Sequence, residues 1–239
     1  MLAVSTFFAI LSVMAKHKPY HHGNLPRVLL NASLELIRET GVHGFTLREV
    51  ARRAGVSHAA PYRHFQDKAD LLAAIAEEGF DRLIEEMRAA ASKAKDPVAR
   101  LENAGLAYVE FAQDQPDRFA VMFATEPEEK PAAQAAGARC FAELVDLVTA
   151  CQNAGQSNDI SPRTAALIAW TQVHGIAELA LRGQLGFKTR KELMEFAGKA
   201  TAFANIGYRK RKTKPKTTRR LSRNHKGIVS AYRGVGVSA

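Results

Sequence analysis

Between Thr46 and Lys68, in the stretch TLREVARRAGVSHAAPYRHFQDK, hydrogen-bond donors recur at short spacing. The hydroxyls of Thr46, Ser57 and Tyr62, the imidazoles of His58 and His64, the guanidinium of Arg48 and the ammonium of Lys68 all donate. Phosphate oxygens and base edges accept from such groups. Bond-making chemistry has no counterpart in the chain: it carries no Ser/His/Asp arrangement, no phosphate-cradling glycine loop and no HExxH pattern. His174 and Glu178 on one helix face are too little for an enzyme, so the chemistry on offer is recognition.

The elements that must hold these donors are legible from caps and stripes. Thr46 with Glu49 three residues on has the reciprocal capping-box pattern, so a helix is expected to start there. Leu47, Val50, Ala51 and Ala54 form its apolar stripe. Gly55 stops it in a left-handed conformation, Val56 pins the turn, and Ser57 caps a second helix. In that second helix Pro61 and Phe65 share the inner face, which leaves His58, Ala60, Tyr62, Arg63 and His64 outside. Asp67 and Asp70 signal the start of a third helix, with Lys68 in its first turn. Upstream, a helix from about Pro26 carries Val28, Leu29, Ala32, Leu36 and Ile37 and ends at Gly41. Two helices joined by a glycine turn fit a helix-turn-helix unit that enters the major groove of DNA. The spacing alone fits a plain helical hairpin equally well.

The residues themselves decide further. His22-Gly23-Asn24-Leu25, Gly41, Gly44-Phe45-Thr46, Val50-Ala51, Ala54-Gly55-Val56-Ser57, Tyr62-Arg63-His64-Phe65, Lys68 and Leu71-Leu72 closely resemble the DNA-binding domain of TetR-family transcriptional regulators. The resemblance implies His58, Ala59 and Ala60 as the base-facing set, with Thr46, Arg48, Ser57, Tyr62, His64 and Lys68 on the DNA backbone. Two departures bear on base reading: Ala59 and Ala60 offer only methyl contacts, and Pro61 removes a backbone donor where the family often has an apolar residue with one.

The charge distribution is consistent with this. The net charge is +10 over 239 residues. Residues 16–68 carry nine Lys and Arg against four Asp and Glu, and six of the eight histidines. Residues 69–207 carry fourteen against twenty, and residues 208–239 eleven against none. A basic head, an acidic body and a basic tail result, and the head's excess falls on the segment that suggests DNA contact. We divide the chain accordingly into an apolar leader (1–15), a helix-turn-helix DNA-binding domain (16–68), a helical ligand-binding and dimerisation domain (69–207) and a basic tail (208–239). The leader has no basic region ahead of its apolar run and is shorter than the roughly 20 residues of a membrane span, so no membrane partner is expected; MAKHKPYHHGNL resembles the way many TetR-family members begin, which implies Met14 as the natural start. Lys16, Lys18, His21 and His22 make a basic arm, disordered or reaching DNA; the tail is expected to be disordered, adding salt-sensitive DNA affinity or merely solvated. A cytoplasmic location is expected.

The body reads as helical throughout, with starts at Asp96-Pro97, Pro116 and Ser161-Pro162, a loop at TEPEEKP, a stop near Gly155, and no strand-period alternation. The fold class is therefore all-α. Cys140 and Cys151 lie in no His or Cys cluster, so neither metal, disulfide nor cofactor is expected. Trp170 and His174-Gly175 resemble the Trp/His-Gly motif of a subgroup of TetR-family ligand-binding domains. Trp170 and His174, four apart, read equally as core residues; Tyr108, Phe119, Met122 and Phe123 are the further candidates to line a pocket, with plain core again the alternative. The resemblance implies a homodimer through helices near 162–182 and 189–206, a double-stranded palindromic DNA operator, and a small-molecule effector that releases a repressor from it. The alternative is a ligand-independent architectural DNA-binding protein.

Overall fold

The computed structural model describes residues 24–124, 131–156 and 160–204. The expectations for the leader, the basic arm, the start at Met14, the basic tail and most of the TEPEEKP loop lie outside the described residues. Eight α-helices follow in order among those described, with no strand: α1 (Leu25–Thr40), α2 (Leu47–Arg53), α3 (Lys68–Ala91), α4 (Pro97–Asp114), α5 (Pro116–Ala124), α6 (Pro131–Asn153), α7 (Pro162–Leu181) and α8 (Arg190–Ala204). A single 3-10 turn, Pro61–Arg63, stands between α2 and α3. No helix among these is long and apolar enough to cross a membrane.

Helix starts fall where short polar side chains meet orphan backbone donors. The carboxylates of Asp67 and Asp96 accept from the amides of Asp70 at 2.7 Å and Ala99 at 2.9 Å, and the Ser161 hydroxyl accepts from Thr164 at 3.2 Å. Proline at the first position of α4 and α7 costs no bond, because that amide has no intrahelical partner.

The head is α1, α2 and the first turns of α3. Leu29, Leu36 and Ile37 of α1 bury against Phe45, Leu47, Val50, Phe65 and Leu71. Val28, expected on the inner face of α1, is 40% exposed, because the neighbouring Leu29 takes the core position. Arg53 clamps α2 to α1 by pairing with Glu39 through both guanidinium nitrogens, at 2.9 and 2.6 Å. That pairing holds the Glu39 carboxyl below the usual carboxylate range.

Helix α4 is the centre of the body and packs against α3, α5, α6, α7 and α8. Its Ala104, Val109, Phe111 and Ala112 are fully buried. Helix α3, 24 residues long and so roughly 36 Å, runs from the head through the body and ties the two together. Gly79 allows α5 to lie close on it: a Cβ there would stand 2.6 Å from Met122 Sδ.

Candidate nucleic-acid interface and ligand cavity

The turn after α2 closes as the glycine signal predicts. Gly55 has φ +69°, its amide donates to Arg52 O at 3.2 Å, and the Val56 amide reaches back to Ala51 O at 2.9 Å. This double bond pattern satisfies the last carbonyls of α2 and aims the chain into the next segment. At the other end of α2 the capping box is complete: Glu49 N donates to Thr46 Oγ1 at 3.3 Å and Thr46 N to Glu49 Oε2 at 2.8 Å. The Thr46 bonds also hold the Glu49 carboxyl below its ordinary range.

The second helix is the first correction. The α-helix expected from Ser57 is replaced by a turn over residues 57–60 and the 3-10 turn Pro61–Arg63. Proline has no amide to donate to Ser57 O four residues back. Ser57 O accepts instead from Ala60 N at 2.9 Å, and the bonds Arg63 N to Ala60 O and His64 N to Pro61 O keep the three-residue spacing. The tighter winding turns Ala60 inward. It is 9% exposed, so the expected outer, base-facing position is not realised. His58, Ala59, Arg63 and His64 are exposed, as are Ser57, Thr46 and Arg48. Tyr62 is 53% exposed, which excludes a core role for its ring.

Lys68 is turned toward its own fold. Its ammonium donates to His43 O at 2.9 Å and lies 4.2 Å from the centre of the Phe45 ring. Partial burial lowers its pKa, with Glu49 pulling the other way. Lys68 thereby staples the turn between α1 and α2, a role its place in the sequence did not disclose.

In the body, residues of α3, α4, α5, α6, α7 and α8 line a cavity of about 300 Å³. Of the six candidate residues, Tyr108, Phe123 and Trp170 line it. Phe119 and Met122 do not: both are buried, and Met122 is directed onto Gly79 of α3. His174 stands behind Tyr108, with its ring 4.6 Å from Phe123 and 5.6 Å from Phe119. A chain of hydrogen bonds fixes this wall. Trp170 Nε1 donates to Tyr108 Oη at 3.3 Å, and Tyr108 Oη lies 2.8 Å from His174 Nδ1. Indole is a donor only, so we assign the Tyr108 proton to the bond with Nδ1 and the imidazole proton to Nε2. Burial lowers the His174 pKa, against the pull of Glu178, and raises that of the Tyr108 hydroxyl. The neutral forms that the chain requires are thus the favoured ones.

The rest of the lining, including Phe80, Leu83, Met87, Leu101, Phe141 and Leu144, escaped sequence reasoning, since apolar helix faces look alike whether they meet a neighbour or a void. Gly105 and Gly137, in the middle of α4 and α6, were the available signal. Across the head–body junction, Arg38 Nε of α1 donates to Asp117 Oδ2 of α5 at 2.8 Å. Six residues further along α5, Phe123 is in the cavity wall.

Two family profiles match the chain: "Bacterial regulatory proteins, tetR family" over residues 29–75 and "Tetracyclin repressor-like, C-terminal domain" over residues 101–198. Together they span more than half of it. The chain belongs to the TetR family. Within the TetR family, the HTH-type transcriptional activator FasR of Mycolicibacterium smegmatis is 30% identical over 125 residues, 51% of this chain and 57% of that protein. The match therefore spans little more than half of FasR's length. A solved protein of unknown function from Rhodococcus sp. RHA1 is 37% identical, with a TM-score of 0.68 over 77% of this chain and 96% of that one. FadR of Bacillus subtilis, solved in complex with stearoyl-CoA, shares the fold at a TM-score of 0.65 and 16% identity, over 76% of this chain and 98% of its own.

Proposed function

We propose that this protein is a transcriptional repressor that binds a palindromic operator as a two-fold dimer and leaves it when a small molecule occupies the cavity. The observation that carries the reading is the double attachment of α5. Phe123 lines the cavity, while Asp117, roughly 9 Å away along the helix axis, is paired with Arg38 of the head. A ligand that moves Phe123 acts on the helix that holds the head. The effect requires that it bind one arrangement of α5 better than the other.

On DNA, His58 and Ala59 face base edges, and Ser57, Tyr62 and His64 reach phosphates, with Thr46 and Arg48 beside them. The exposure of all seven supports this. We divide the chain at 16–68 for the DNA-binding domain and 69–207 for the ligand-binding and dimerisation domain, read Trp170 and His174-Gly175 as the Trp/His-Gly subgroup motif, and expect a cytoplasmic protein. The dimer forms through α7 and α8. Ile168, Thr171, Gly175 and Leu179 fall at i, i+3, i+7 and i+11 on one face of α7. Ile168 and Leu179 are 54% and 42% exposed, and a Cβ at Gly175 would meet nothing within 4 Å. An apolar face of that kind, open to solvent and with a small residue at its middle, suits a second copy of the same helix. The acyl-CoA ligand of FadR is consistent with an apolar effector here.

Genome-wide recovery of bound DNA followed by footprinting tests the reading. The expected result is a palindrome whose half-sites are separated by whole turns of the duplex. Protection of no defined sequence contradicts it. Footprints that no metabolite alters point to an architectural protein instead.

A further inference from the structure

The cavity carries a chemical signature narrower than that of an unspecified small molecule. Most of its polar atoms are already engaged by the protein. Besides the Trp170–Tyr108–His174 chain, Gln172 Nε2 donates to Ala200 O at 2.8 Å and Thr201 Oγ1 to Ala197 O at 3.0 Å. The Cys140 thiol, its pKa pushed up to about 12 by burial, is a neutral group and a weak donor. That leaves Arg163, in the first turn of α7, as the only charged side chain among the described lining residues. Arg163 is exposed, its guanidinium lies 5.3 Å from the centre of the Phe141 ring, and it also borders a shallow groove along α6 at Ala142, Val145 and Asp146. It therefore stands where the apolar interior opens to solvent.

We propose that the cavity takes an amphipathic anion, with its apolar body inside and its negative group on Arg163. The proposal rests on the cavity being the effector site, and it names the effector's class. A free carboxylate and a coenzyme A thioester with a phosphate at Arg163 share this chemistry.

Calorimetric titration of the full chain, without DNA, tests it with decanoate, decan-1-ol and decanoyl-CoA. Decanoate or decanoyl-CoA is expected to bind at least about tenfold more tightly than decan-1-ol. Arg163→Gln should bring the anion down to the alcohol's affinity and leave the alcohol unchanged, whereas Arg163→Lys retains most of the preference. Arg163 is exposed, so both variants fold. Whichever of the acid and the thioester binds more tightly identifies the source. Equal binding of alcohol and anion, an Arg163→Gln protein with undiminished anion affinity, or no binding by either anion overturns the proposal. Decanoate that binds without altering operator affinity contradicts the proposed function and leaves this inference standing.

Discussion

Asp117 on α5 accepts a hydrogen bond at 2.8 Å from Arg38 on α1, joining two residues 79 apart in the chain. Arg38 is 71% exposed, so the pair contributes at most about 1 kcal/mol to stability. Its consequence lies in coupling. Asp117→Asn is expected to leave the unfolding midpoint nearly unchanged and operator affinity without ligand within about threefold. The ligand-induced loss of operator affinity, typically about 5- to 150-fold in coupled systems, should fall to less than half of its wild-type free energy. Anisotropy titrations with and without ligand read this directly; full coupling in the variant would show that the signal travels elsewhere, with α3 the other connection.

Lys68 and Tyr62 separate a folding role from a contact role. Lys68→Ala removes the ammonium from His43 O and the Phe45 ring, and is expected to destabilise the protein by about 1–2 kcal/mol. Tyr62→Phe alters an exposed hydroxyl and should leave stability unchanged within about 0.5 kcal/mol while weakening DNA binding. Urea unfolding beside DNA titration distinguishes them; a Lys68→Ala protein of wild-type stability would contradict the staple.

His174 makes the cavity wall sensitive to acid. Burial sets its folded pKa below the ordinary imidazole value of 6.5, so the unfolded chain binds the proton more readily. The stability that depends on the neutral ring is complete above about pH 6.5 and is lost as pH falls through that value toward the folded pKa. Protonation also removes the Nδ1 acceptor of the Tyr108 bond. Between pH 7.5 and 5.5 the wild type should lose more stability than His174→Gln. Parallel pH curves for the two proteins would refute this.

The local grammar of the fold was legible in the sequence. The Thr46–Glu49 box, the Gly55 stop and the caps at Asp67, Asp96 and Ser161 each depend on residues within a turn of one another. The second helix was legible only in part: Pro61 was visible as a missing donor, but the 3-10 winding that buries Ala60 depends on how the chain meets Phe65 and the core. Long-range relations stayed hidden. Nothing near Asp117 in the sequence points to Arg38, and Lys68 reads as a phosphate ligand until the His43 carbonyl is placed beside it. The cavity was the least legible, because Phe119 and Met122 are as apolar as Phe123, yet Phe119 packs on Tyr108 and His174 and Met122 on Gly79, where Phe123 borders a void.

The most direct test of the account is operator titration of the full chain with and without a saturating cavity ligand, chosen by calorimetry. The account predicts specific binding by the free protein and an affinity at least about fivefold weaker with ligand. Superimposable titration curves would contradict it.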